Sequence, residues 1–120
     1  MIPERALAVY GTLAPGESNH HVLLGVDGQW IDGYIRGYMF DVTWGGAEGY
    51  PGVVLDNAGN LISVRVLVSD QLDKHWDRLD RFEGPGYRRI PVEVLDRSES
   101  GDVGDVIGTA FVFEALTHND

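Results

Sequence analysis

One carboxylate, Glu83, lies where an acid is unusual, at the end of a predicted amphipathic helix over residues 70–83. In that helix Leu72, Trp76 and Leu79 recur at the spacing of a single apolar face. Glu83 follows Trp76 by seven residues and Leu72 by eleven, so at 100° per residue it projects from about the same side. Both the apolar face and the negative end of the helix dipole disfavour the anion, so we expect the pKa of Glu83 to rise toward that of a general base. The alternative is that the helix frays one residue earlier and leaves Glu83 solvated.

A second candidate element is the loop Tyr10-Gly11-Thr12-Leu13, which follows an apolar run predicted to be a buried strand over residues 6–10. A strand that ends in Gly-Thr and turns through Pro15-Gly16 leaves successive backbone N–H groups without ladder partners, and such groups can bind an anion. Thr12 adds a hydroxyl. The loop lacks the lysine and the glycine spacing of a phosphate-binding P-loop, so nucleotide binding is not indicated. The alternative is an ordinary turn between a strand and a helix.

A cation, Arg88, follows the helix and completes the set of charged candidates. It shares a face of the next predicted strand with Ile90, Val92 and Val94, so it is expected to point inward. There it would meet a substrate carboxylate. The alternative is that it pairs with a buried acid or extends to the rim of the fold.

Metal ligation is considered for Glu17, His20 and His21, whose spacing can place ligands on one helical face. No third strong ligand lies nearby in the sequence, so surface or capping histidines are the preferred interpretation. The acidic segment 99–105 lacks the length and ligand order of a calcium loop. The sequence therefore predicts no metal site.

Strands make up most of the predicted scaffold that must position these residues. Gly33 and Gly37 interrupt the longest predicted strand and are expected to be bends or bulges. A turn over residues 56–60 predicts a hairpin, a short helix is predicted over 17–24, and the glycine-rich segment 44–52 and the polar segment 97–104 are predicted loops. Beyond the first strand, the predicted strands span residues 29–43, 53–55, 61–68, 87–95 and 105–114.

Bulk composition limits the classes of function. The chain has 120 residues, of which 43% are apolar and 23% charged, as is typical of one globular domain over residues 1–120. Its formal net charge of −10 repels phosphate backbones and anionic lipids, so nucleic acid and membranes are not expected partners. The absence of cysteine excludes disulfides and cysteine nucleophiles. The apolar run near Met1 is too short for a signal peptide, and we expect cytoplasmic residence.

Three motifs, in this order, resemble the gamma-glutamylcyclotransferase-like family. The first is Val9-Tyr10-Gly11-Thr12-Leu13, followed by Pro15-Gly16 and Asn19-His20. The second is Tyr50-Pro51-Gly52-Val53-Val54. The third is Leu79-Asp80-Arg81-Phe82-Glu83-Gly84, followed by Tyr87-Arg88-Arg89. Together they span nearly the whole chain, which makes the resemblance more specific than any one motif.

The resemblance implies an α+β fold, a small mixed β-barrel with a few short helices. It also implies an enzyme that needs no metal or organic cofactor and acts on a small γ-glutamyl amide, whose α-amine attacks its own γ-carbonyl to release 5-oxoproline and an amine. Glu83 would move the protons, the loop Tyr10 to Leu13 would hold the glutamyl group, and Tyr87 would lie near the pocket or serve only in packing. Two alternatives remain: a binding module with the same pocket but no turnover, and a structural domain whose pocket is closed by the loop 44–52.

Overall fold

The computed structural model describes residues 1–42, 50–97 and 103–116. Three of the predicted segments fall partly outside these ranges: the end of the strand predicted to residue 43, most of the loop 44–52, and residues 98–102 of the loop 97–104. Within the described ranges, the regular elements are six strands, one α-helix and three 3₁₀ turns. These are β1 Ala6–Val9, β2 Gln29–Asp41, β3 Pro51–Leu55, β4 Asn60–Val68, α1 Trp76–Glu83, β5 Tyr87–Arg97 and β6 Val103–Ala115, with the turns Pro3–Arg5, His20–Leu23 and Leu72–Lys74.

Five of the strands close into a barrel. β2 pairs with β4, β4 with β1, β1 with β6, and β6 with β5, and a contact between Tyr34 of β2 and Leu95 of β5 completes the ring. β1 and β6 run parallel and the other described pairs antiparallel, which confirms the predicted mixed barrel. β3 is added outside the ring and pairs with β2 from Gly37↔Leu55 to Asp41↔Pro51.

Strand β1 separates two packed layers, which is why its residues are apolar without alternation. Ala6 and Ala8 point into the barrel, whereas Leu7 and Val9 point outward to the layer that contains α1. All four are buried, as the continuous apolar run predicted. The outer layer is completed by Leu72, Trp76 and Leu79, the three residues of the predicted apolar face, all of which are buried.

The predicted helix over residues 70–83 is wrong in its first half. Residues Leu72–Lys74 form a 3₁₀ turn, His75 has a φ of −118°, and α-helix begins only at Trp76. Ser69 explains part of the change, because its Oγ accepts the Gln71 N–H at 3.1 Å and also donates to the Asp27 carbonyl, which fixes a turn at this point. Glu83, the last residue of the predicted helix, is nevertheless helical.

Three other local predictions also need correction. The turn over residues 56–60 does not join a hairpin, because the strands on its two sides, β3 and β4, each pair with β2 and no pair between them is described. The helix predicted over residues 17–24 is only the 3₁₀ turn His20–Leu23, in a segment whose N–H groups bond to carbonyls three residues earlier. Gly33 is not a bulge, because the register of β2 with β4 is unbroken through it, whereas Gly37 is the position at which the ladder with β4 ends and the ladder with β3 begins. A Cβ on Gly33 would lie 2.5 Å from Cγ1 of Val94, so the glycine there allows β2 and β5 to approach where the barrel closes.

Candidate active site

A cavity of about 230 Å³ opens between the loop after β1, the end of α1 and the start of β3. It brings together segments that are far apart in the chain, and its wall includes five of the six residues predicted to bind substrate as well as Glu83. In full, the described residues that line it are Ala8, Val9, Tyr10, Gly11, Thr12, Leu13, Asn19, Tyr50, Pro51, Phe82, Glu83, Tyr87 and Phe113.

Glu83 is the last residue of α1 and projects into this cavity. The helix does not fray before it, because Gly84 takes a φ of +78° and donates its N–H to the Asp80 carbonyl at 3.1 Å. Glycine adopts this left-handed region at little cost, so Gly84 ends the helix one residue after the glutamate. The backbone at Glu83 is therefore fixed by the helix, and its side chain is aimed by the same turn that buries Leu79.

The carboxyl group of Glu83 is held away from bulk water without a compensating partner. Burial alone raises the pKa of Glu83 to about 7. Within the described residues, its oxygens accept no hydrogen bond and form no ion pair, and neither oxygen is sealed inside the protein. A carboxyl group that changes charge near neutral pH and still faces open space can both accept and return a proton.

The backbone of the loop Gly11 to Leu13 lines the same cavity. Its carbonyls are occupied: Gly11 accepts the Ala14 N–H at 3.1 Å, and Thr12 accepts the Asn19 N–H at 2.9 Å. Asn19 also donates its Nδ2 to Thr12 Oγ1 at 2.9 Å, which fixes the hydroxyl. Among the described residues, no acceptor takes the N–H of Gly11, Thr12 or Leu13. Three consecutive N–H groups of this loop thus have no described acceptor, and groups in that state can bind an anionic oxygen.

Tyr10 and Tyr87 line the cavity, but their hydroxyl groups donate to backbone carbonyls of β6 and β3. Tyr10 Oη donates to the Phe113 carbonyl at 2.6 Å, and Tyr87 Oη donates to the Pro51 carbonyl at 2.8 Å. Burial and then the nearby Glu83 raise the pKa of Tyr87 to about 12. Burial, followed by the neighbouring Tyr87 and Glu83, raises the pKa of Tyr10 further still. Both hydroxyls therefore stay protonated at neutral pH and act as fixed donors.

Arg88 is the one predicted site residue that the structure does not bring to the cavity. Its Nε and Nη2 donate to Glu114 Oε1 at 3.0 and 2.9 Å. Glu114 is buried, so the alternative considered for Arg88, pairing with a buried acid, is the arrangement present. A direct contact of Arg88 with a substrate carboxylate is not supported by this geometry.

Several residues of the cavity wall were not predicted as site residues. Asn19 and Tyr50 belong to the recognised motifs, so the motifs themselves held a signal for them. His20 supports the loop from behind: its Nδ1 lies 3.0 Å from the Leu13 carbonyl and must carry the proton, because a carbonyl only accepts. Phe113 lies on the last strand, and no local pattern distinguishes it from other core aromatics.

Neither a metal site nor a membrane span is found in the part of the chain that the structure describes. No group of three or more histidine, aspartate or glutamate side chains there is arranged to hold a metal ion, and Glu17 and His21 are exposed. No described helix is long and apolar enough to cross a membrane.

The part of the chain that matches known proteins includes all the described residues that line the cavity. Residues 7–119 match the model of the family described as gamma-glutamyl cyclotransferase, AIG2-like. The chain belongs to this family. The match confirms the family predicted from the three motifs, and it spans the loop Tyr10 to Leu13, the β3 segment, Glu83 and Tyr87.

Individual relatives align with most of this chain. The gamma-L-glutamyl-butirosin B gamma-glutamyl cyclotransferase of Niallia circulans is 30% identical over 110 residues, which cover 89% of this chain. The chain spans only 65% of that enzyme's length. An AIG2-like protein of Mus musculus superposes with a TM-score of 0.64 at 25% identity, covering 95% of this chain and 78% of the mouse protein.

The fold also occurs within a much larger protein. The allophanate hydrolase of Kluyveromyces lactis matches 92% of this chain with a TM-score of 0.66, but only 17% of its own length takes part and the identity is 18%. That likeness shows the fold alone. Any functional argument therefore depends on the family and on the cavity.

Proposed function

We propose that this protein is a gamma-glutamyl cyclotransferase that converts a γ-glutamyl amine into 5-oxoproline and a free amine. One observation carries the proposal: Glu83, with a pKa raised to about 7 and no described partner, shares a cavity with three available N–H groups of the loop. The family name and the name of the Niallia circulans relative support the same reaction.

The reaction needs little more than this cavity supplies. The α-ammonium group of the substrate loses a proton to the Glu83 carboxylate, and the freed amine attacks the γ-carbonyl carbon of the same molecule. A C–N bond forms and closes a five-membered ring, and the C–N bond to the leaving amine then breaks. Two protons in total leave the α-nitrogen and two arrive at the leaving nitrogen. Glu83 can carry them one at a time, so no water, oxidant or reductant is consumed.

The loop provides the matching positive potential. The substrate brings an α-carboxylate and develops negative charge on the γ-oxygen, and the N–H groups of Gly11, Thr12 and Leu13 are donors suited to such anionic oxygens. Because the attack is intramolecular, holding the glutamyl chain in a folded shape supplies much of the acceleration. Tyr10 and Tyr87, fixed by their bonds to the wall, limit the shapes that the chain can adopt.

A panel of γ-glutamyl amines tests the proposal. The panel would contain γ-glutamyl derivatives of a monoamine, a polyamine and the lysine side chain, glutathione, and γ-L-glutamyl-butirosin B, the compound named in the relative. We expect at least one to release 5-oxoproline, measured by mass spectrometry. The matched control is the same compound acetylated on its α-nitrogen, which cannot cyclise. Saturable binding of the panel without turnover of any member would instead favour a binding module.

The cellular setting stays a prediction. Cytoplasmic residence and the lack of nucleic-acid partners follow from the charge of −10 and the sequence pattern. Fractionation of cells that produce the protein would test the first, and an electrophoretic mobility assay at physiological salt would test the second.

A further inference from the structure

Strand β3 carries part of the cavity wall although it is not a member of the closed barrel. It pairs with β2 alone among the described strands, and only over five positions from Pro51 to Leu55. The other edge of such a strand has no second strand beside it, so only this short ladder and side-chain contacts position it. Contacts beyond the ladder would make the wall formed by Tyr50 and Pro51 better defined.

A buried carboxylate, Glu114 of β6, takes the place of that missing neighbour. Its Oε2 accepts the Leu55 N–H at 2.8 Å, while its Oε1 accepts two hydrogen bonds from Arg88. The Glu114 side chain is only 8% exposed, whereas that of Arg88 is 58% exposed. Glu114 therefore bonds to β3 from the inside and is neutralised by a cation at the surface, which makes burial of its charge tolerable.

The other end of β3 is fixed by β5. Tyr87 Oη donates to the Pro51 carbonyl at 2.8 Å, so β3 is bonded at both its first and its last residue. Between these points Gly52 passes so close to β6 that a Cβ on it would lie 2.7 Å from Cβ of Ala115. These three contacts add to the ladder with β2 in holding β3 close to the barrel.

β3 contacts the loop directly, so a shift of β3 would affect the loop. A Cβ on Gly11 would lie 2.9 Å from Cγ of Pro51, so the proline ring packs on the backbone of the loop. A displacement of β3 would therefore move or release the segment Gly11 to Leu13, which lines the same cavity as Glu83. The series of contacts runs from Glu114 through Leu55 and Pro51 to Gly11.

We propose that Glu114 is a positioning residue, which with its partner Arg88 holds β3 and thereby the loop Gly11 to Leu13 in place for the substrate's glutamyl group. Glu114 lies outside the cavity wall and touches no reacting atom. The kinetic part of this inference rests on the function proposed above, and the structural part does not. In this proposal Arg88 acts by holding Glu114, in place of the direct substrate contact considered from the sequence.

The test measures the loop itself, without a substrate. Amide hydrogen exchange and NMR shifts would be recorded for the free protein and for Glu114→Ala, Glu114→Gln and Arg88→Ala. For Glu114→Ala we expect the Leu55 amide to exchange at least about tenfold faster and the resonances of Gly11 to Leu13 to shift. Arg88→Ala keeps the bond to Leu55 and should show a smaller change. The matched control, Asp32→Asn, removes an exposed carboxylate that pairs with Arg65 at 2.7 Å, and should leave the loop unchanged.

The kinetic measurement uses the best substrate of the γ-glutamyl amine panel. For Glu114→Gln we expect KM to rise about three- to thirtyfold with kcat within about threefold of the parent, because the loop binds the glutamyl group before and during the reaction. If Leu55 stays protected and the loop resonances stay in place in Glu114→Gln and Arg88→Ala, the proposal is wrong, even if Glu114→Ala fails to fold. If these amides respond but no panel member is cyclised by the parent, the positioning role stands and the proposed reaction fails.

Discussion

Two glutamates, Glu83 and Glu114, are both withdrawn from water yet have opposite surroundings. Glu83, at the end of α1, has no described partner, and burial raises its pKa to about 7. Glu114, on β6, accepts bonds from Arg88 and from the Leu55 N–H. The first arrangement leaves a proton acceptor ready for a ligand, and the second satisfies a charge in order to hold two strands together. In the roles proposed above, the same residue type would serve chemistry in one place and architecture in the other, as its neighbours dictate.

Substitutions of the two glutamates should differ most in their effect on kcat. Glu83→Gln keeps the size and hydrogen-bonding reach of the side chain but cannot shuttle a proton, so kcat for 5-oxoproline release should fall about a hundred- to ten-thousandfold. Glu114→Gln should act on KM instead. Steady-state kinetics of both variants on one γ-glutamyl amine would measure the contrast. A Glu83→Gln enzyme that retains kcat within about tenfold of the parent would show that Glu83 is not the base.

The surroundings of the first glutamate could be predicted from the sequence better than those of the second. Helical spacing and the third motif both indicate Glu83 as a candidate site residue, and the family match confirms the family that this motif resembles. The same reasoning placed it on one continuous helix, which is wrong because Ser69 fixes a turn and α-helix begins at Trp76. Local periodicity has no information about such a side-chain bond.

Glu114 could not be predicted, because its role depends on pairing between strands that are distant in the chain. Its partners Leu55 and Arg88 are separated from it by 59 and 26 residues. The strand pattern placed Arg88 on an inward face and allowed a buried acid as its partner, but nothing local identified which acid. The barrel was predicted from the family resemblance and a strand over residues 53–55 from the sequence pattern, but the position of β3 outside the ring and its contact with Glu114 were not.

The next contrast is in the dependence of the rate on pH. Only the ionised form of Glu83 can take the first proton, so kcat/KM should fall about tenfold for each pH unit below about 7, the pKa of this group in the free protein. In Glu114→Gln the midpoint should remain near 7 if Glu83 stays as buried as in the parent, and move toward the ordinary value of 4.5 if displacement of β3 exposes Glu83 further. A pH profile of initial rates for both proteins measures this midpoint. A parent midpoint close to 4.5 would mean that Glu83 is solvated.

The smallest expected contrast is in the free energy of unfolding at pH 8, which Glu83→Gln should raise and Glu114→Gln should lower. Because the folded protein raises the pKa of Glu83 from 4.5 to about 7, it binds the proton more tightly than the unfolded chain does. Below pH 4.5 both states are protonated and the ionisation costs nothing. As the pH rises from 4.5 to 7 the unfolded chain releases its proton first, so stability falls, and above pH 7 the cost is complete.

Replacing Glu83 by glutamine removes that cost, so the variant should be more stable than the parent by about 1–3 kcal/mol at pH 8 and nearly equal to it at pH 4. Glu114→Gln should instead be less stable at pH 8, since the uncharged amide cannot satisfy both Arg88 and the Leu55 N–H. Urea titrations of both variants at pH 4, 6 and 8 would give the two signs, with Glu93→Gln, an exposed carboxylate of β5, as the control for net charge. A Glu83→Gln protein that is destabilised at pH 8 would mean that the glutamate has a structural partner, and the distinction drawn between the two glutamates would fail.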